Sequence, residues 1–597
     1  MSFYFNPLDY NYKSIIGAIS NKDNLILYVC TNRDYCNLVL IFDKTKEKTL
    51  IKMDKTPNGF KLKLKNLNVG LYFYYFESEG QNYFCNSELL AKNNGIERFF
   101  ELTVYDSDYT VPTFLNGGII YQIFPDRFCR VGGDFNLPKN KIKRKWNELP
   151  NYLPNSEGKI LNNDFFGGNF KGIESKLDYL KSLGVNLIYL NPISLSYSNH
   201  RYDTSDYFKI DPLLGTEKQF KELVVKVHEK GIKIILDGVY NHTGDDSVYF
   251  NKYNSFKSLG AYQSKNSKYY DWYNFKNFPD DYESWWGIDV LPCIKKNSKS
   301  FQEFIAGENG AIDYYMRLGV DGFRLDVVDE LSNDFVKKIR KTIKKYGNET
   351  LLIGEVWEDA SNKIAYDERK EYFLGFELDS VMNYPLKDGI ISYVLSRNVS
   401  ELLNVVKTQL NNYPKKSLDV LMNILSTHDT ARILTVLSGV NTNISRIEAG
   451  EFKFDIGLSN KARKKLEIAL VILYTIYGVP TIYYGDERET NGFKDPFNRT
   501  TINWRKKPIL IDFYKKLGEI RRKEAVFFGG ETEIIYAKNG AFIFKRVKND
   551  EEVIVAVNLG EYSYQFKNYN CLKNLFSNEI KDKFILKKDG WLILKPL

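Results

Sequence analysis

From Gly118 to about Tyr484 the chain alternates short, mainly apolar runs with amphipathic stretches, and it does so eight times. The runs are Ile119–Phe124, Val185–Leu190, Ile232–Leu236, Gly322–Leu325, Leu351–Gly354, Ser380–Met382, Leu421–Leu425 and Pro480–Tyr484. A run of four to six apolar residues bounded by polar ones reads as a strand buried on both faces, which is the strand of a parallel sheet. The stretches between them read as helices. Thr216-Glu217-Lys218-Gln219 has the form of a capping box, and Phe220, Leu223, Val224 and Val227 follow at the i, i+3, i+4, i+7 spacing of one helix face. A further helix is expected near Gly172 to Leu183. Eight strand–helix units predict an α/β fold, the (β/α)8 TIM barrel, whose functional side chains stand at the carboxyl ends of the strands.

The flanks differ. From Asn24 to about Phe100, Leu25, Leu27 and Val29, then Val39 and Ile41, then Leu71, Phe73 and Tyr75 alternate with polar residues between Asn, Asp, Lys and Gly turns, the pattern of an antiparallel sandwich. Alternation returns after a helix at Ile511 to Arg521, in Ile534–Tyr536, Ala541–Phe544 and Val553–Val555. The expected division is an N-terminal β-sandwich over 1–110, a barrel over 111–522 with an excursion over about 241–298 after the third strand, and a C-terminal β-sandwich over 523–597. Asp106 to Gly118 reads as the linker.

The polar residues that end the barrel runs are unusual. The chain has four histidines in 597 residues, and three stand in Ser198-Asn199-His200-Arg201-Tyr202-Asp203, Asp237-Gly238-Val239-Tyr240-Asn241-His242 and Ser426-Thr427-His428-Asp429. Gly322-Phe323-Arg324-Leu325-Asp326 and Gly354-Glu355-Val356-Trp357 each end an apolar run in an acid. Any one of these is more often an ion pair or a satisfied buried group, but independent structural uses have no reason to gather at the same end of four strands. Hydrolysis of an acetal with retention needs a carboxylate nucleophile and a carboxylic acid roughly 5 to 5.5 Å apart. Asp326 and Glu355 close neighbouring strands and meet that need. Arg324, two residues before Asp326, points to the same face and is expected to hold Asp326 ionised. Glu355, beside Trp357, is expected to be desolvated and protonated.

Composition excludes other classes. A net charge of +9 is small against 84 basic and 75 acidic residues, so no nucleic-acid partner is indicated. The longest apolar stretch, around Ala469 to Val479, is too short to span a bilayer, so no membrane partner is expected. The six cysteines form no C-x-x-C pair and the amino terminus no signal pattern, which fits a cytoplasmic location. Of the aromatics in the excursion, Trp272, Trp285 and Trp286 are candidates for stacking on sugar, with Trp286 favoured.

The motifs resemble those of the α-amylase superfamily, glycoside hydrolase family 13. The matching residues are Asp237-x-x-x-Asn241-His242, Gly322 to Asp326, Gly354 to Trp357 and His428-Asp429, with Tyr121 to Phe128, Leu190 to Ile193, His200 to Thr204, Tyr483 to Glu487 and Asp495 to Arg499. Phe165-Phe166-Gly167-Gly168 and Trp285-Trp286-Gly287 are similar to the neopullulanase, cyclomaltodextrinase and amylopullulanase-core branch. The resemblance implies Asp326 as nucleophile, Glu355 as acid/base and Asp429 as transition-state stabiliser. His200, Tyr202, His242, Arg324 and His428 would line the subsite of the attacked glucose, with Asp495 and Arg499 holding the next sugar. It implies an α-glucan substrate, cleavage of α-1,4 bonds in maltodextrins, cyclodextrins, pullulan or starch with some transglycosylation and α-1,6 cleavage, and pairing of two copies through the N-terminal domain. A glucan transferase, an α-1,6 debranching enzyme and an inactive glucan-binding protein are the alternatives. No cofactor is required. A structural calcium ion would have Asp134, Asn136 and Asn169 as candidate ligands, although the family's Gly-Gly-Asp is Gly167-Gly168-Asn169 here, and an amide attracts a hard cation less than a carboxylate. Leu291-Pro292-Cys293-Ile294-Lys295 replaces the branch's Met-Pro-Lys-Leu-Asn and leaves bond preference open.

Overall fold

The computed structural model describes residues 3–93, 95–133, 135–567 and 571–597. The barrel strands are β1 (Ile119–Ile123), β2 (Val185–Leu190), β3 (Lys233–Gly238), β4 (Gly322–Leu325), β5 (Leu351–Gly354), β6 (Ser380–Val381), β7 (Met422–Asn423) and β8 (Val479–Tyr483). They are hydrogen-bonded in the order β6-β5-β4-β3-β2-β1-β8-β7, all parallel. A parallel bridge between Met382 and Met422 joins the two ends, so the sheet closes. The seventh strand is shorter than its apolar run because Pro480 of β8 lies opposite Asn423 and offers no N–H to the ladder.

Alternation along the strands divides the barrel into an apolar floor and a polar top. Inward-facing Ile120, Leu187, Tyr189, Ile235, Leu351 and Ile353 join Met382, Met422 and Val479 in one buried cluster. The next inward positions toward the carboxyl ends are Gln122 on β1, Asp237 on β3 and Arg324 on β4, and all three side chains are buried. Outward residues such as Ile119, Tyr121, Ile188, Leu190 and Ile234 pack under the helices. A Cβ at Gly322 would stand 1.9 Å from the Leu351 carbonyl oxygen, so glycine is what lets β4 start against β5.

Helix Glu217–Glu229 carries both hydrogen bonds of the Thr216/Gln219 capping box and buries Phe220, Leu223, Val224 and Val227. Such a cap stabilises by about 1 kcal/mol. The fourth histidine, His228, lies in its last turn and pairs with Asp321 at 2.7 Å, a structural use. The stretch expected as one helix near Gly172 is two, Phe170–Glu174 and Leu177–Ser182. The first ends where Ser175 Oγ donates to the Gly172 carbonyl.

In the N-terminal region, a sheet containing Asn37–Phe42, Gly70–Ser78 and Phe100–Tyr105 faces a three-stranded sheet of Leu25–Cys30, Gly59–Leu64 and Asp54–Thr56, and both contribute to one core. The C-terminal region holds a six-stranded sheet whose central strand is Glu551–Asn558. The linker is bolted down. Tyr109 is buried, its hydroxyl donates to the Leu378 carbonyl and lies 2.6 Å from Ser417 Oγ, and the Arg340 guanidinium stands 5.3 Å over its ring. Residues 241–298 contain only short 3-10 turns and the hairpin Phe275–Asn277/Asp281–Tyr282. Their core is aromatic: Phe250 packs on Tyr262, Tyr273, Phe275 and Tyr282, and Trp272 on Tyr249, Tyr269, Phe301 and Phe304. Trp272 is therefore a core residue. The segment Leu291–Lys295 returns to the barrel, where Cys293 bridges His242 and Ile294 N–H donates to the Asn241 carbonyl. No disulfide joins any of the six cysteines, and among the described residues no helix is long and apolar enough to cross a membrane.

Candidate active site

The β4–β5 ladder runs on into the two acids. Asp326 N–H donates to the Gly238 carbonyl and Glu355 N–H to the Leu325 carbonyl, each at 3.0 Å, so Asp326 and Glu355 stand side by side on adjacent strands. Neighbouring strands lie about 4.8 Å apart, which suits the carboxyl spacing that retention requires. Immediately after Asp326 the chain turns through Val327 in the left-handed region, with φ 38°. For a β-branched residue that conformation costs on the order of 1–3 kcal/mol. What it achieves is visible: the Val327 N–H points at Glu355 Oε2, 2.8 Å away.

Arg324, fully buried, is the centre of the site. Its Nη1 donates to Asp237 Oδ1 at 2.7 Å and Asp326 Oδ1 at 2.8 Å, and its Nη2 lies 2.8 Å from Glu355 Oε2. This corrects one expectation: the arginine does not place the two acids in opposite environments, because it touches both. The difference between them is finer. Hydrogen-bond alignment holds for Asp237 and Asp326, whereas Nη2 meets no acceptor in that geometry. A second correction concerns Asp326, whose carboxyl is raised well above its usual range by burial, an effect that Arg324 opposes and does not overcome.

Asp237, absent from the expected site residues, shares in everything. Tyr189 and Tyr202 hydroxyls donate to its Oδ2 at 2.6 and 2.7 Å. Asn191 donates to the Tyr202 hydroxyl at 2.8 Å, and His428 Nε2 meets the same oxygen. Gln122 Nε2 lies 2.9 Å from His428 Nδ1; as a donor there it makes Nδ1 the acceptor and leaves the proton on Nε2, which also faces Asp429 Oδ2 at 3.1 Å. Burial lowers His428 and His200 well below the ordinary imidazole value and His242 to about 4, so all three are neutral donors and acceptors. Tyr202 N–H donates to His200 Nδ1 at 3.1 Å. His242 is buried against the Trp285 ring, and neither of its ring nitrogens meets a partner in hydrogen-bond geometry.

Asp429 keeps 30% of its side chain open. The cleft walls, and then the Glu355 carboxylate, push its carboxyl up to about 7 against the pull of Arg499 and Arg324. Arg499 stands 3.6 Å from Asp429 Oδ1 and 2.8 Å from Asp495 Oδ1, and its Nε donates to the His428 carbonyl. His200, Tyr202, Arg324, His428, Asp495 and Arg499 thus connect into one network with the three acids, while His242 packs beside it on the Trp285 ring. Trp286 lies apart, 81% exposed at φ 52°, its Nε1 donating to Glu330 Oε1 at 3.3 Å. Trp285 donates to the same oxygen at 3.0 Å. Among the residues not foreseen, Gln122 carried a signal: it is the one polar residue in an otherwise apolar run.

Two of the three residues proposed for calcium can be located. Asn169 caps helix Phe170–Glu174, its Oδ1 accepting from Gly172 N–H and its Nδ2 donating to the Val131 carbonyl. Asn136 is exposed, and Asp134 lies outside the described residues. Among the described residues no three His, Cys, Asp or Glu side chains converge as a metal site, whereas calcium takes six to eight oxygens.

A closed parallel barrel with three carboxylates gathered on one buried arginine, at the carboxyl ends of its strands, defines a (β/α)8 protein equipped for acid–base and nucleophilic work. The chain belongs to the alpha-amylase family: the model of the alpha amylase catalytic domain matches residues 122–526. It is 36% identical to an amylopullulanase of Thermoanaerobacter thermohydrosulfuricus over 92% of this chain, of which it spans 41%. It is 32% identical to a cyclomaltodextrinase of Thermoanaerobacter pseudethanolicus, covering 86% of this chain and 82% of that protein. The structure is similar to that of the type III pullulan hydrolase from Thermococcus kodakarensis, with a TM-score of 0.70, 26% identity, and coverage of 99% of this chain and all of the other.

Proposed function

We propose that the chain is a retaining α-glucan hydrolase cleaving α-1,4 bonds of maltodextrins, cyclodextrins and pullulan. Asp326 is the nucleophile, Glu355 the general acid and base, and Asp429 steadies the charge that develops on the ring. The observation that carries this is the adjacency of Asp326 and Glu355 on one guanidinium. Five carboxylates, Asp237, Asp326, Glu355, Asp429 and Asp495, share two guanidinium groups, Arg324 and Arg499, while the histidines are neutral. Such crowding retains a proton in the set. Retaining chemistry then requires Glu355 to carry that proton and Asp326 to be free of it when the glucan is bound.

In the first half-reaction the glycosidic oxygen takes the Glu355 proton as its bond to C1 breaks, and an Asp326 oxygen bonds to C1. Glu355 then draws a proton from water, which attacks C1 and frees Asp326. The unpartnered His242 nitrogens and the His200–Tyr202–His428 set supply hydrogen bonds to the hydroxyls of the attacked glucose. Asp495 and Arg499 meet the sugar beyond it. No cofactor enters the step, since donor and nucleophile are both side chains. The location proposed is the cytoplasm, supported by six cysteines that form no disulfide, and two copies are proposed to pair through the N-terminal domain, which size-exclusion chromatography reads.

Digestion of pullulan with product analysis is the test. Panose reports α-1,4 hydrolysis on one side of each α-1,6 bond, isopanose on the other, and maltotriose reports α-1,6 cleavage. No release of reducing sugar from pullulan, a cyclodextrin or starch would sink the proposal.

A further inference from the structure

We infer that Trp357 is a positioning residue for proton delivery, its indole N–H fixing Glu355 Oε1 where it protonates the leaving oxygen. This rests on Glu355 being the acid.

The two oxygens of Glu355 are held differently. Oε2 accepts the Val327 N–H at 2.8 Å and lies 2.8 Å from Arg324 Nη2. An oxygen facing two donors is a poor seat for a proton, so the proton belongs on Oε1. That atom accepts the Trp357 Nε1–H at 3.0 Å. A protonated carboxyl oxygen retains acceptor capacity, so Oε1 accepts the indole N–H while giving its own O–H to the glycosidic oxygen. The last torsion of a glutamate is broad, and donors on both oxygens pin it.

The indole is itself seated. It stacks on Tyr384 with centroids 3.8 Å apart and planes at 15°. Tyr384, fully buried, opens the helix after β6, and its hydroxyl lies 3.5 Å from Thr427 Oγ1, which accepts the Asp429 N–H at 3.2 Å. One stacked pair thereby ties the proton-delivering oxygen to the backbone of Asp429. Yet Trp357 keeps 43% of its surface exposed, more than a residue serving only the core would.

As the C1–O bond breaks, its electron pair goes to the leaving oxygen, which takes the Oε1 proton while an Asp326 oxygen bonds to C1. Without the indole N–H, Oε1 swings and the proton arrives late. The penalty then falls on leaving groups that need protonation and spares those that do not.

The Trp357→Phe variant keeps a ring on Tyr384 and loses the donor. Its kcat/KM is compared with that of the native chain on a cyclodextrin and on a dinitrophenyl α-maltoside, whose phenolate leaves unprotonated. The expected result is a fall of about tenfold or more on the cyclodextrin and of less than about twofold on the aryl glycoside. An equal fall on both, or no fall, overturns the inference. Trp357→His, which restores a ring N–H, is expected to recover part of the cyclodextrin rate. Should the Phe variant fail to unfold cooperatively, Trp357→Met carries the same comparison. Glu355→Gln run beside these separates the two levels: normal cyclodextrin cleavage by that variant defeats the acid assignment itself, whereas its inactivity with a uniform Trp357→Phe effect defeats only the role of Trp357.

Discussion

The strand ends and the excursion facing them hold their side chains by opposite means. At the strand ends each group is fixed from several sides: Arg324 reaches three carboxylates, Tyr202 meets Asp237, Asn191 and His428, and Glu355 is held at both oxygens. In the excursion, the indole N–H groups of Trp285 and Trp286 share a single acceptor, Glu330 Oε1, and Trp286 is open to solvent. Bond breaking demands fixed geometry, because small misplacements cost large factors in rate. Gripping a polymer of variable length demands contact area and tolerates movement. The cleft therefore combines a rigid floor with a compliant rim.

Asp326→Asn attacks the floor at its hardest point and carries the largest expected effect. Hydrolysis of maltodextrin should fall by about 10⁴-fold or more. The unfolding temperature should hold or rise, since a carboxylate that burial disfavours is removed. Near-normal release of reducing ends would show that the floor is not where the chemistry happens.

Trp272→Ala tests whether compliance belongs to the whole excursion or only to its rim. Trp272 is 3% exposed, packs on four aromatic rings and donates its Nε1–H to Ser300 Oγ at 3.1 Å. Its loss should cost about 3–5 kcal/mol in a denaturant melt. A cost under about 1 kcal/mol would mean that the excursion is loose throughout.

How much of this could be read from the sequence follows the same division. β2, β4 and β5 were legible to the residue because each is a mainly apolar run with a polar motif at its end, and the motifs after β4 and β5 carried the acids. β7 was not, since periodicity in one strand cannot register the proline opposite it in another. The sharing of Arg324 by Asp326 and Glu355 was hidden for a related reason: a guanidinium has five donors, and nothing in sequence spacing says which strands will divide them. The Trp357–Tyr384 stack and the gathering of Trp285 and Trp286 on Glu330 join segments distant in the chain. Nor could Trp272 be told from Trp286, because the excursion has neither helical nor strand period to assign an inside and an outside.

Asp429→Asn measures what the rigid floor costs in stability. The carboxyl sits at about 7 in the folded chain against an ordinary 3.8. Between those values the folded protein holds a proton that the unfolded chain has released, so stability falls as pH rises through that window and stays lowered above it. The asparagine variant escapes this. Near pH 8 it should exceed the native chain by about 1–2 kcal/mol, a figure discounted for the partly open side chain, and the gain should vanish below about pH 3.8. Unfolding temperatures at the two pH values check it, and a gain independent of pH would place its cause outside ionisation.

Trp286→Ala probes the rim and should be the mildest. The ring is anchored by one hydrogen bond and a tilted contact to Trp285 at 6.1 Å, so its removal should change stability by less than about 0.5 kcal/mol. If its exposed face stacks on sugar, the loss is about 0.5–1.5 kcal/mol of binding, or roughly two- to twelvefold in KM for long α-glucans. Maltotriose, too short to reach the rim while filling the floor, should keep its kcat. That split is the sharpest form of the contrast. A residue that contributes only grip raises KM alone, whereas one that belongs to the fixed geometry lowers kcat as well. A matching fall in kcat for both substrates would move Trp286 into the rigid set and leave the rim with no compliant member beyond Trp285.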